Sequence, residues 1–169
     1  IAKILGCRVM GMAGSDEKVS WLIEELGFDH AINYRTANIE AELKAFCSSG
    51  IDVYFDNVGG DILDICLGRL SVGARVVICG GISRYNQEGE LPGPKNYFNL
   101  VFRRARMQGF LTGDYSDRFE EAYDQLTKWV QDGRIKQRET VIEGFELLPE
   151  ALVALFRGGN LGKMMVHVS

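Results

Sequence analysis

A chain of 169 residues is long enough for a domain with a sizeable core, and 46% hydrophobic with 25% charged residues is an ordinary globular balance. The formal net charge of -4 excludes a general attraction to nucleic acid or anionic membranes, and no apolar run approaches the roughly 20 residues of a membrane-spanning helix. Cys7, Cys47, Cys66 and Cys79 stand far apart without a Cys-x-x-Cys pair, and only His30 and His167 accompany them, so no metal site is expected. Dispersed cysteines and an opening, IAKILGCRVM, without a signal-like start point to a reducing cytoplasm.

Residues 1–5 carry apolar positions at 1, 4 and 5 before Gly6, which reads as the end of an amphipathic helix with its glycine cap. Nothing that starts such a helix precedes it, so the expectation is a piece of a longer protein. Residues 8–13 (RVMGMA) form a short apolar strand. A helix over residues 16–26 follows, capped by Ser15, with Asp16 and Glu17 at its positive end and Val19, Leu22, Ile23 and Leu26 as its buried stripe. Residues 31–33 are a brief strand and residues 39–46 a helix.

Residues 51–60 (IDVYFDNVGG) read as a buried strand running into a polar, glycine-rich turn. Alternation puts Ile51, Val53 and Phe55 on one face and Tyr54 on the other. A helix over residues 61–70 and a strand over residues 74–79 come next, then a loop to Pro94. Residues 96–103 read as helix, 106–111 as strand and 117–131 as an amphipathic helix stopped by Gly133. In the tail, residues 140–142 are a strand, 149–156 a helix opened by proline and broken by Gly158-Gly159, and 163–168 a last alternating strand. Strand–helix alternation with near-continuous apolar strands predicts an α/β fold, a doubly wound parallel sheet covered on both faces.

In such a sheet, ligands sit past the carboxyl ends of the strands, where Asn57 offers a donor and an acceptor. The alternative is an ordinary turn, which Asp-Asn-x-Gly-Gly makes anywhere. The Gly-x-Gly-x-x-Gly loop of a dinucleotide site is missing, and the strand ending at Ala13 takes the second position of that fold. An NAD-preferring site carries an acid at this strand's tip, and here Ala13-Gly14-Ser15 stands instead. A small residue, the Ser15 hydroxyl and the cations Lys18 and Arg35 suit a 2′-phosphate, which favours NADPH over NADH. For Lys18 the plainer alternative is a solvated helix lysine. A Tyr-x-x-x-Lys pair of short-chain dehydrogenases is absent, since Tyr123 and Lys128 are one residue too far apart.

AGSDEK (13–18), INYR (32–35), DNVGG (56–60), CGGISRYN (79–86), RARMQGF (104–110), EGF (143–145) and NLGK (160–163) occur in this order. Together they resemble the zinc-independent medium-chain reductases, the group of prostaglandin reductase, alkenal/one oxidoreductase and bacterial curcumin reductase. The resemblance implies a Rossmann-type fold lacking its usual first strand and glycine-rich loop. Residues 1–134 correspond to a truncated dinucleotide-binding domain and 135–169 to a tail that in relatives returns to the substrate domain. It implies NADP(H) as cofactor, with Lys18 and Tyr34 on the adenosine 2′-phosphate and Asn57 beyond the fourth strand. Cys79, Gly80, Gly81, Ile82, Ser83 and Tyr85 are implied to wrap the cofactor, with Phe110, Leu111, Thr112 and Asn160 at the nicotinamide half.

The implied reaction reduces the C=C bond of an α,β-unsaturated ketone or aldehyde, with the protein aligning the reactants and donating to the carbonyl oxygen. Several relatives carry a substrate-side tyrosine where this chain has Phe102, which cannot donate. Tyr97 is the candidate replacement, against its plainer reading as a packing aromatic. In the family's strand order the missing strand is central, so two unpaired edges are expected. A small-molecule substrate is expected, with quinone reduction and a non-catalytic nucleotide-binding or oligomer-forming module as alternatives. Relatives often pair through the strand at residues 106–111, so a homodimer is expected.

Overall fold

The computed structural model describes residues 1–90 and 92–168. Leu91, inside the predicted loop, and Ser169, at the end of the predicted tail, lie outside the described residues. The chain divides into two compact units, residues 1–35 with 121–169, and residues 36–120. Every strand pairing is parallel, and helices or turns connect the strands.

In the first unit, β1 (Met10–Ala13) pairs with β2 (His30–Asn33) through α1 (Asp16–Ser20), which continues as a π-helical turn over Trp21–Glu25. Ser15 accepts from the Lys18 amide at 3.3 Å and starts α1 where the sequence placed its cap. The predicted helix end at residues 1–5 is only a single turn, closed by Leu5 N donating to Ile1 O at 3.0 Å. Five residues cannot propagate a helix without a longer nucleus. In the tail, β6 (Glu139–Glu143) and β7 (Lys163–His167) pair in parallel on either side of α6 (Leu148–Arg157). Ala31, Ile32 and Ala151 are buried here.

The second unit holds a three-stranded sheet in the order β3 (Ile51–Asp56), β4 (Leu70–Ile78), β5 (Arg106–Gly109). Around it lie α2 (Ile39–Phe46), α3 (Gly60–Leu67) and α4 (Asn99–Arg103). Its core is Leu43, Ile51, Cys66, Leu67, Leu70, Ala74 and Val76, all buried. Full burial of each large aliphatic residue contributes about 1.5–3 kcal/mol. The long helix α5 (Phe119–Gln131) leads back to the first unit.

The structure corrects two sequence expectations in this sheet. Val53 and Phe55 are 51% and 55% exposed, while Tyr54 lies on the covered side with Asp56. The cause is a register shift between Ile51 and Val53. It breaks the alternation, and Tyr54 pairs across to the buried Val76. The predicted helix over residues 61–70 stops at Leu67, because Gly68 caps it and Leu70 already belongs to β4. The strand predicted over residues 106–111 ends at Gly109.

Candidate cofactor site

Sequence-predicted residues gather in each unit at the carboxyl ends of the parallel strands, where loop backbone and side chains are free to meet a ligand. The first cluster stands at the ends of β1 and β2. A Cβ on Gly14 would lie 2.8 Å from the Tyr34 hydroxyl and 3.4 Å from Arg35 Nε, so the glycine lets these side chains cross the strand tip. Lys18 is half-buried and its Nζ donates to the Gly158 carbonyl at 2.7 Å. The nearby acid, Asp16, is turned to Asn33, whose Nδ2 donates to it at 2.8 Å.

A cavity of about 320 Å³ opens beside this cluster and is lined by Met12, Ala13, Gly14, Lys18, Trp21, Leu22, Asn160, Leu161 and Gly162. Lys18 and Asn160 therefore share one cavity, whereas the resemblance implies opposite halves of a dinucleotide for them. Asn160 Nδ2 donates to the Gly162 carbonyl at 2.6 Å, which shapes the loop before β7.

The second cluster stands at the ends of β3, β4 and β5. The Asp56 side chain, 1% exposed, accepts from Tyr54 Oη at 2.9 Å, from Val58 N at 2.9 Å and from Gly59 N at 3.0 Å. These bonds fix the turn into α3, whose glycines Gly59 and Gly60 take φ of 71° and 60°, a conformation side chains oppose. Asn57 is left exposed on this turn, and its carbonyl accepts from Ile82 N at 3.1 Å. Cys79 N donates to the Asp56 carbonyl at 2.8 Å, and Ser83 Oγ to the Val58 carbonyl at 2.6 Å. Gly81 N donates to Tyr85 Oη at 3.3 Å, so the Tyr85 ring folds back over Gly80-Gly81.

The two loops that follow β3 and β4 are thus knitted into one surface. Phe110, past β5, packs between Phe55 and Tyr115 with ring centroids 6.3 and 6.1 Å away, while Leu111 and Thr112 are exposed. Tyr97 is 57% exposed and meets Phe98 edge-on at 6.2 Å, and Phe98 meets Phe102 at 5.3 Å. Asn96 anchors this segment by donating from its backbone to Asp64 Oδ1 at 2.7 Å.

Sequence reasoning missed Asp56 as an internal anchor and Gly158 as the partner of Lys18. An acid at a strand end beside a glycine turn is a legible signal for the first. No local signal marks a contact across 140 positions for the second.

The first cluster fits the adenosine end of a 2′-phosphorylated dinucleotide: two cations, a tyrosine hydroxyl and a glycine tip surround it, and its acid is engaged elsewhere. Among the described residues, no group of three His, Cys, Asp or Glu side chains is placed to hold a metal ion. No helix among them is long and apolar enough to cross a membrane.

A family profile described as zinc-binding dehydrogenase matches residues 1–128. The YfmJ protein of Bacillus subtilis (strain 168) is 49% identical over 172 residues, covering 100% of this chain and 51% of that protein. The NADP(+)-dependent 2-alkenal reductase of Nicotiana tabacum is 43% identical over 169 residues, covering 99% of this chain and 49% of its own length. The crystal structure of CurA from Vibrio vulnificus in complex with NADPH superimposes with a TM-score of 0.92 at 39% identity, over 99% of this chain and 51% of CurA. The chain spans about half the length of the curated relatives it matches.

Proposed function

Since the chain belongs to the zinc-binding dehydrogenase family, we propose that it is the NADP(H)-binding half of a reductase acting on the C=C bond of α,β-unsaturated ketones or aldehydes. The observation that carries this reading is the convergence of Lys18, Tyr34 and Arg35 on the tip of β1, next to Gly14 and Ser15. Two cations and two hydroxyls recognise a phosphate where an acid would recognise a ribose hydroxyl. The 43% identity to a 2-alkenal reductase supports the C=C part of the reading.

NADPH, when bound, supplies the hydride. The residues of this chain bind and orient it: Ser15, Lys18, Tyr34 and Arg35 take the 2′-phosphate end, and Asn57 the surface past β3. Cys79, Gly80, Gly81, Ile82, Ser83 and Tyr85 form the loop wall past β4, and Phe110, Leu111 and Thr112 the surface past β5. Asn160 is read on the adenosine side, because it shares the Lys18 cavity. Tyr97, exposed on its turn, is the proton-donor candidate. The 1–134 and 135–169 division, cytoplasmic placement and a homodimer through the open edge of β5 belong to the same proposal.

The test is calorimetric titration of NADPH and NADH into the chain and its Lys18→Ala variant. NADPH is expected to bind more tightly, and the variant to lose about tenfold or more of that preference, roughly 1.4 kcal/mol or above. Equal binding of both cofactors by the unsubstituted chain sinks the NADP(H) reading. The C=C reading is tested separately in the full-length protein, by enone-dependent NADPH oxidation; oxidation with quinones alone refutes it.

A further inference from the structure

We propose that Gly158 is a specificity-determining residue: its missing side chain leaves an anion-sized space between Lys18 and Arg35 that receives an oxygen of the adenosine 2′-phosphate. This rests on the NADP(H) reading above and adds to it a wall that the tail supplies.

The space is defined by its neighbours. A Cβ on Gly158 would lie 3.5 Å from Lys18 Nζ and 3.8 Å from Arg35 Nη2. Those are contact distances to two positive groups, and an anion's oxygen placed there reaches both. The alternative occupant of that space, any larger side chain, would leave the cations in place and close the gap between them.

The cradle is held from several sides. Lys18 Nζ is fixed by the Gly158 carbonyl at 2.7 Å, and the start of its helix by Ser15. Gly158 itself caps α6 with φ 73°, its amide donating to the Leu155 carbonyl at 3.0 Å, and Gly159 N donates to the Ala154 carbonyl at 2.8 Å. Further along, Thr140 Oγ1 donates to the Leu161 carbonyl at 2.9 Å and accepts from Leu161 N at 3.1 Å. A site whose geometry is set before the ligand arrives loses little ordering entropy on binding. The carboxyl end of α6 alone opposes an anion, and the two full positive charges outweigh that partial one.

The experiment uses two probes that differ only in the group at issue, adenosine 2′,5′-bisphosphate and adenosine 5′-monophosphate, titrated calorimetrically into the chain and its variants. Gly158→Ala is expected to lower the preference for the bisphosphate about tenfold or more and to leave the monophosphate unchanged. Gly158→Asn, whose side chain tolerates the left-handed backbone, is expected to do the same and serves if the alanine variant does not fold. Gly133→Ala controls for backbone strain, because Gly133 has φ +68° with nothing within 4 Å of its would-be Cβ. This control is expected to keep the preference. If the Gly158 variants keep it while Lys18→Met abolishes it, the Gly158 proposal is overturned and the 2′-phosphate reading survives. If Lys18→Met also keeps the preference, or the unsubstituted chain has none, both fall.

Discussion

Tyr54, Asp56 and Cys66 meet in the interior of the 36–120 unit, and their protons report on its integrity. Cys66 is fully buried, and burial pushes its thiol from 9.0 up to about 12, with the Tyr54 hydroxyl acting in the opposite sense. Burial likewise drives the Tyr54 hydroxyl well above its ordinary 10.0, with the neighbouring Cys66 and Asp56 adding to it. The folded chain therefore keeps protons that the unfolded chain releases. Stability from this pair is present in full below pH 9, the unfolded thiol's range, and is lost as pH rises toward the folded values. The slope is at most about 1.4 kcal/mol per pH unit for each group. Denaturant midpoints measured at pH 8 and pH 10.5 are expected to fall more steeply in the unsubstituted chain than in Cys66→Ala. Parallel slopes would contradict the assignment.

At the scale of elements, the junction of β3 and α3 depends on one carboxylate. Removing it in Asp56→Ala leaves the Tyr54 hydroxyl and the Val58 and Gly59 amides without their acceptor. Each buried donor left unpaired costs about 1–3 kcal/mol, so a loss of roughly 3 kcal/mol or more is expected in chemical denaturation. A loss under about 1 kcal/mol would show that water replaces the carboxylate. Much of this architecture was legible locally. Helix α2 runs over Ile39–Phe46, as its apolar spacing predicts, and Ser15 caps α1 as its position before Asp16 and Glu17 predicts.

The exposed face of β3 was not legible, because the shift between Ile51 and Val53 is a property of the pairing with β4 and not of β3 alone. The same holds for the cofactor cluster. Lys18 and Arg35 stand out as cations near a strand tip that lacks an acid. Their shared neighbour Gly158 belongs to the last helix and becomes visible only when the tail is folded.

Across the whole molecule, β1 pairs only with β2, and β3 only with β4, among the described residues. Each thus presents one edge of unpaired backbone donors and acceptors, the two edges that the resemblance leads one to expect. On β3 the exposed Val53 and Phe55 add apolar surface beside that edge. Such an edge is a template for any extended strand, including one from another copy. The chain's lifetime in a test tube is therefore governed by how often copies collide. Loss of soluble protein on storage is expected to accelerate with concentration, and Val53→Lys, which sets a charge on the open strand, is expected to slow it severalfold by light scattering. First-order loss, independent of concentration, would instead point to unfolding within single molecules. For anyone handling this protein, dilution is then a better preservative than cold.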